Sequence, residues 1–431
     1  MLSTPRSFVW RTVVFMGKQL IPMSTYVPHF KPASLTAALL TALVSLLSAI
    51  CYAEEWKYDD CYREELLYLH AVVNYEYDPD WSREWEKNLV KGSGLRFSFG
   101  SIARSQLLHR EELVINQRLD DSWGFRSLVS WYGSRHLDED DFSGYLEFQR
   151  ALYSDVSMYI SADVRHEKGE IDGSLGFMKA DKSRENFLRI EACWDDLVYD
   201  DRNNNGGSSE RFPLGIVWTA RYGSGNWMLF ADGKVSRGFD RIFSDPARSP
   251  DISRHEKQTN RAHFLVSRLL SARSRLEAEL FLYRFDDNCS YRDAVRDYSY
   301  RNGISIGTLR CLFPLGDRYR MRIELSGVGQ DSRTRRGMRC DYRRRELLPS
   351  VFAKRHMGHH AVEIGYFGSV YDWEYDDFID SRDFDRNDYV DKMKIGWFYS
   401  FSKSSRIQLS LSHVVSMSSF GGGNAQYIVM F

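Results

Sequence analysis

Residues Val156-Ser157-Met158-Tyr159-Ile160-Ser161-Ala162-Asp163-Val164-Arg165 alternate apolar and polar side chains without a break. Successive side chains of a strand point to opposite faces, so this period of two predicts a strand with one apolar and one polar face. Four further stretches repeat the pattern. Leu188, Ile190, Ala192 and Trp194 alternate with Arg189, Glu191, Cys193 and Asp195. Leu276, Ala278, Leu280 and Leu282 alternate with Arg275, Glu277, Glu279, Phe281 and Tyr283. Tyr319, Met321, Ile323 and Leu325 alternate with Arg318, Arg320, Arg322 and Glu324. Ile407, Leu409 and Leu411 alternate with Arg406, Gln408, Ser410 and Ser412. Weaker versions fill the chain between residues 94 and 431, which predicts an all-β fold of about eighteen strands, or sixteen because some segment ends are arbitrary.

The composition narrows the classes. The 431 residues hold 58 Lys+Arg against 59 Asp+Glu, so no basic surplus draws the chain to nucleic acid. Aromatics make up 14%, which excludes a disordered chain. The mean hydropathy of −0.45 excludes a bundle of membrane helices. One apolar run stands out, Leu35–Ile50, preceded by Lys31 and followed by Cys51-Tyr52-Ala53. It predicts a secretory signal peptide over 1–53, cut after Ala53, with Met16 or Met23 as alternative starts. A membrane anchor is the competing reading, but the run is short and no basic cluster follows it. Export leaves Cys61, Cys193, Cys289, Cys311 and Cys340, an odd number with no CxxC spacing, so a zinc or redox site is not expected. Residues 54–92, with Glu64–Tyr77 as an amphipathic stretch, predict a periplasmic N-terminal segment or partial plug.

Alternation alone fits both a soluble sandwich and a membrane barrel. Three features favour the barrel. The chain ends Asn424-Ala425-Gln426-Tyr427-Ile428-Val429-Met430-Phe431, a closing strand on a terminal Phe that resembles the last strand of Gram-negative outer-membrane barrels. Alternate connections are short, at Asp120-Asp121-Ser122, Ser154, Ser224-Gly225, Arg273, Pro314–Asp317 and Lys403, whereas the other set includes the long stretches 200–211, 238–258, 286–297 and 373–388. Short periplasmic turns and long outer loops are the rule for such barrels. Finally, Trp123, Trp131, Trp194, Trp218, Tyr222, Trp227, Trp397 and Tyr399 fall on apolar faces, many near strand ends, as in interfacial girdles.

The chain therefore resembles porin-like outer-membrane β-barrels over about residues 93–431. The resemblance implies a transmembrane antiparallel up-and-down barrel in the bacterial outer membrane. Its implied partners are membrane lipid, lipopolysaccharide and, through Phe431, the barrel-assembly machinery. A homotrimer is an assembly found among porins. No particular family is matched, so no family's site residues are carried over.

The lumen face carries the candidate chemistry. Arg318, Arg320 and Arg322 form one basic row, Arg339, Arg343 and Arg345 a second on the next strand, and Lys392 and Lys394 lie two strands on. Asp163, Glu191, Asp195, Asp232, Glu277, Glu279 and Glu324 supply acids, with Arg165 near them. Opposed basic and acidic walls set a transverse field that selects among ions, and the competing reading is mutual pairing in a solvated wall. Tyr132, Tyr159, Phe230, Phe281, Tyr283 and Phe398 are predicted to face the lumen as sugar platforms or gap fillers. The Arg-rich run 333–345 offers guanidiniums to lipopolysaccharide phosphates, though a solvated loop is the simpler reading. Asp201–Gly206 and Asp383–Asp388 begin like calcium loops but lack the closing Glu. His356, His359 and His360 cluster at a turn without a completing carboxylate. No GxSxG, HExxH or P-loop occurs, and alternation puts His413 opposite Ser410 and Ser412, so no catalytic residue, metal or cofactor is assigned. The expectation is a non-enzymatic diffusion channel for small polar, anionic or sugar-like solutes, narrowed by an inward loop at 238–258. An export or assembly component for an acidic polysaccharide and a plugged recognition barrel are the alternatives.

Overall fold

A computed structural model describes residues 92–431, apart from 102–106, 135–138, 166–169, 182–185, 200–207, 210–213, 238, 245–251, 292–297, 336–339, 378–381 and 417. The expected signal peptide, and the N-terminal segment up to residue 91, lie outside the described residues.

Twenty strands follow one another. They are β1 Gly94–Ser101, β2 Leu107–Arg118, β3 Trp123–Ser134, β4 Glu139–Ala151, β5 Val156–Arg165, β6 Glu170–Ala180 and β7 Phe187–Tyr199. Next come β8 Ser208–Ser209, β9 Leu214–Ser224, β10 Trp227–Ser236, β11 Phe239–Ser244, β12 Ile252–Leu269, β13 Arg275–Tyr291 and β14 Tyr298–Leu315. The last are β15 Tyr319–Arg335, β16 Cys340–Met357, β17 His360–Asp377, β18 Arg382–Ser400, β19 Ser405–Val414 and β20 Ser419–Met430. Strands β8 and β11 are short pieces paired to each other, and β11 runs on beside β12. The other eighteen each pair antiparallel with their neighbours, and β1 pairs with β20 from Gly94↔Met430 to Ser101↔Gly423. The sheet thus closes on itself and leaves no edge. The predicted strand count of eighteen holds.

The burial pattern gives the two faces. Ile160, Leu309, Ile364 and Ile395 are exposed on the outer wall. Their neighbours in sequence, such as Ser161, Arg310, Glu363 and Lys394, point inward and are buried. An exposed apolar belt of this extent around a polar interior is stable only against lipid.

The connections β2–β3, β4–β5, β6–β7, β9–β10, β12–β13, β14–β15, β16–β17 and β18–β19 are short, which marks the periplasmic rim by the barrel rule. Three of them need glycine. Gly225, Gly316 and Gly358 have φ of 57°, 75° and 64° in their turns, where a side chain would be strained. Ser93 and Phe431 exchange backbone hydrogen bonds of 3.2 and 2.9 Å at the same rim.

The opposite set of connections is shorter than the sequence suggests. Residues 252–258, 286–291, 373–377 and 382–388 continue strands β12, β13, β17 and β18 rather than forming loops. Above the bilayer both faces of a strand meet water, so alternation fades while backbone pairing persists. The expected inward loop at 238–258 is corrected likewise: Phe239–Ser244 pairs along β12 from Phe239↔Lys257 to Ser244↔Ile252. The second calcium-like stretch lies in β18, with Asp383↔Asp376 and Asp385↔Glu374 in extended register, so it cannot wrap a cation as a loop. The first lies outside the described residues.

Candidate functional site: the polar lumen

The lumen wall is built from strand parity, and its charges fall into three adjoining groups. On β4 to β7, Arg189 bonds Glu147 at 2.7 Å and Glu191 at 3.0 Å, and donates to the Tyr145 hydroxyl at 2.7 Å. Ser174 donates to Glu191 at 2.9 Å. Beneath the guanidinium lies the Tyr159 ring, 3.8 Å from it, which covers Gly176 on β6.

The second group crosses five neighbouring strands. His263 on β12 meets Asp232 on β10 at 3.0 Å and Glu279 on β13 at 2.9 Å. Arg310 on β14 then meets Glu279 at 3.6 Å, Glu277 at 3.1 Å and Glu324 on β15 at 2.6 Å. Arg310, Glu277 and Glu324 are all fully buried. Burial strengthens these contacts but makes each charge depend on its partners.

The third group alternates rings and cations. Arg322 lies 4.0 Å over Phe352, and Phe352 covers Gly365. Lys354 lies 3.6 Å and Arg406 4.8 Å from the Phe398 ring. Lys394 reaches Glu363 at 3.7 Å, and Lys392 donates to the Gly421 carbonyl at 2.8 Å.

The expected lumen residues divide accordingly. Asp163, Glu191, Asp232, Glu277, Glu279, Glu324, Arg320, Arg322, Lys392 and Lys394 do face inward, as do Tyr159, Phe230, Phe281, Tyr283 and Phe398. Arg318 sits instead in the exposed β14–β15 turn. Arg343 and Arg345 point outward, opposite Asp331 and Gly329, while Arg344 between them is the buried lumen residue. The second basic row is therefore not in the lumen. Three consecutive arginines carry no alternation, so only the register of Glu346 and Leu347 fixes which one turns inward. Arg339 lies outside the described residues, and so do the side chains of Arg165, Asp195 and Tyr132. His413 is exposed outward while Ser410 and Ser412 are buried inward, as their alternation required. Glu147, Arg310 and Phe352 were missed, although parity along Thr308-Leu309-Arg310 would have placed Arg310; Arg406 falls on the polar face that its alternation predicted but was not singled out as a lumen charge.

One large open space lies on the β2 to β12 side. A cavity of about 1120 Å³ runs along β2 to β12 and reaches the periplasmic turns at Asp120–Ser122 and Tyr153–Asp155. Its described lining holds five arginines, among them Arg126, Arg189 and Arg221, and seven carboxylates, among them Glu147, Glu191 and Asp163. By contrast, the basic arc at Lys392 and Lys394 is 0% and 2% exposed.

A closed antiparallel barrel with an apolar belt and a polar lumen defines a bacterial outer-membrane β-barrel. Solved structures with some likeness include a loop-deletion mutant of OmpT, an outer membrane protein of Vibrio cholerae, at 10% identity and a TM-score of 0.37, covering 79% of this chain and 97% of that one. The outer membrane channel DcaP of Acinetobacter baumannii aligns at 12% identity and 0.36, covering 79% and 96%. A mutant Rh. blastica porin aligns at 11% identity and 0.31, covering 79% and 99%. No family model and no curated protein matches the sequence.

Proposed function

We propose that the chain is an outer-membrane channel through which small polar solutes diffuse along the β2–β12 side of the lumen. The supporting observation is the cavity that reaches the periplasmic rim with a polar, partly aromatic lining. Its carboxylates outnumber its arginines by seven to five among the described residues. The field there favours neutral, sugar-like or cationic solutes, which reverses the anion preference expected from the arginine rows. Of those rows, Arg322 is buried, Arg318 lies in an exposed turn, and Arg343 and Arg345 point out of the lumen.

Planar-bilayer conductance across a salt gradient tests this reading. Open steps with a cation-signed reversal potential are expected. The variant Asp121→Asn/Asp155→Asn/Asp163→Asn should weaken that preference. A correctly folded barrel that never conducts would sink the channel reading. It would instead favour a plugged recognition barrel, the reading that the burial of Lys392, Arg310 and Glu277 supports. Export of an acidic polysaccharide requires a hydrated basic wall, so it is the least favoured.

A further inference from the structure

Three arginines repeat one geometry on the outer wall. Arg150 lies 5.3 Å from the ring centre of Trp123, Arg268 4.9 Å from that of Trp227, and Arg355 5.5 Å from that of Tyr319. Each pair is a direct cross-strand neighbour: Trp123↔Arg150, Trp227↔Arg268 and Tyr319↔Arg355. In each, the aromatic is the first residue of its strand after a periplasmic turn, and the arginine sits near the end of the adjoining strand. All six side chains are exposed. Among the described residues, none of the three guanidiniums has a carboxylate within 4.0 Å. Directly toward the bilayer centre, the same face continues as Phe148 and Leu146, as Val266 and Phe264, and as Val351, so each arginine marks the border of the apolar belt.

The repetition argues against incidental surface charge. A ring beneath a guanidinium fixes its plane by cation–π attraction and leaves its N–H groups directed outward. At the edge of an apolar belt, the outward neighbour is the headgroup layer, and a fixed guanidinium fork matches a phosphate better than a mobile ammonium. The pairs sit on β3/β4, β10/β12 and β15/β16, so the sites are well separated around the wall.

We propose that Arg150, Arg268 and Arg355 are three docking sites for the phosphates of anionic glycerophospholipids in the periplasmic leaflet. A headgroup without net charge supplies the same phosphate with an attached cation, which the guanidinium repels. The sites therefore discriminate phosphatidylglycerol from phosphatidylcholine.

The test is electron paramagnetic resonance of spin-labelled phosphatidylglycerol and phosphatidylcholine in vesicles containing the full chain. The motionally restricted fraction measures lipid held at the protein surface. Phosphatidylglycerol should be preferred roughly threefold to fivefold, from an attraction of about 1 kcal/mol per basic residue near the surface. In Arg150→Gln/Arg268→Gln/Arg355→Gln, the preference should fall to near one, whereas Arg301→Gln at the far end of the wall should leave it intact. At about 1 M salt, where the screening length is about 3 Å, the wild-type preference should also collapse. An equal hold on both lipids by the wild type would overturn the proposal. So would a preference that survives in the folded triple variant. Should that variant fail to fold, persistence of the wild-type preference at high salt would overturn it equally.

Discussion

The Arg189 guanidinium lies over Tyr159, 3.8 Å from the ring centre. The ring is itself pressed on Gly176, so backbone, ring and cation form a three-layer stack on the lumen wall. Phe352 between Gly365 and Arg322 repeats the arrangement on the far arc. A missing Cβ lets an aromatic lie along the wall, and the buried ring face then holds a cation that also needs carboxylates.

The stack makes Gly176 intolerant of a side chain. A Cβ there would collide with the Tyr159 hydroxyl and come within 2.6 Å of the Ile190 carbonyl. Gly176→Ala must lift the ring and loosen Arg189 from Glu147 and Glu191. A loss of about 1–3 kcal/mol is expected, as for overpacking elsewhere. Tyr159→Ala in the same chain should recover part of it, so the double-mutant cycle should show coupling. Urea unfolding of the reconstituted barrel, followed by tryptophan fluorescence, measures both. Additive losses would mean that the ring and the glycine act separately.

Arg310 is the member of the central network on which two buried carboxylates depend. Removing it in Arg310→Gln takes the shortest ion pair from both Glu277 and Glu324, which are close to fully buried, and leaves Glu277 with Arg275 at 3.6 Å. Breaking a buried ion pair from one side costs about 3–5 kcal/mol. Neutralising all three, in Glu277→Gln/Arg310→Met/Glu324→Gln, should restore much of the loss, because the penalty belongs to the carboxylates that lost their guanidinium. Unfolding midpoints of the two variants decide this. A triple variant no better than the single would assign the loss to packing around Arg310.

Much of this wall was legible in the alternation of residues 156–165, 188–195, 276–283, 319–325 and 407–412. Inside the bilayer, one face must be apolar, so the period of two is enforced and strand number and facing follow from it. Two kinds of residue escaped. Arg343 and Arg345 lie above the belt, where water wets both faces and no pattern marks which side is inside. The bonding of Arg189 to Glu147 joins strands separated by β5 and β6, and such curvature-dependent contacts have no sequence spacing. The open side of the lumen was also invisible, since wall composition does not say which arc is covered.

That covered arc yields a prediction about Arg320 and Arg322. Arg322 is buried against Phe352, and Arg320 is half-buried on the same face of the strand. Arg320→Gln/Arg322→Gln should leave the reversal potential unchanged while lowering stability, a desolvated cation–π contact being worth about 2 kcal/mol. Bilayer recording beside a denaturation curve separates the two effects. A clear move of the reversal potential toward cations would reinstate these arginines as the filter.

The outer end of the tall wall should respond to acid. Burial opposes ionisation of Asp286, but hydrogen bonds from Arg284 at 2.7 Å and Arg301 at 2.6 Å outweigh it and hold its carboxyl below the usual range. The hydrogen bond from Arg333 likewise lowers Asp331. A carboxylate with a depressed folded pKa stabilises the fold above the ordinary carboxylate range, and this contribution disappears as pH falls through the folded value. The ends of β13, β14 and β15 should therefore stay protected from neutral pH down to the carboxylate range and loosen below it. Hydrogen exchange at residues 284–290, 299–303 and 329–333, corrected for the intrinsic pH dependence, reads this out. In Asp286→Asn the acid-dependent change at β13 and β14 should shrink, because the titrating group is gone. An acid response of the same size in that variant would place its origin elsewhere on the wall.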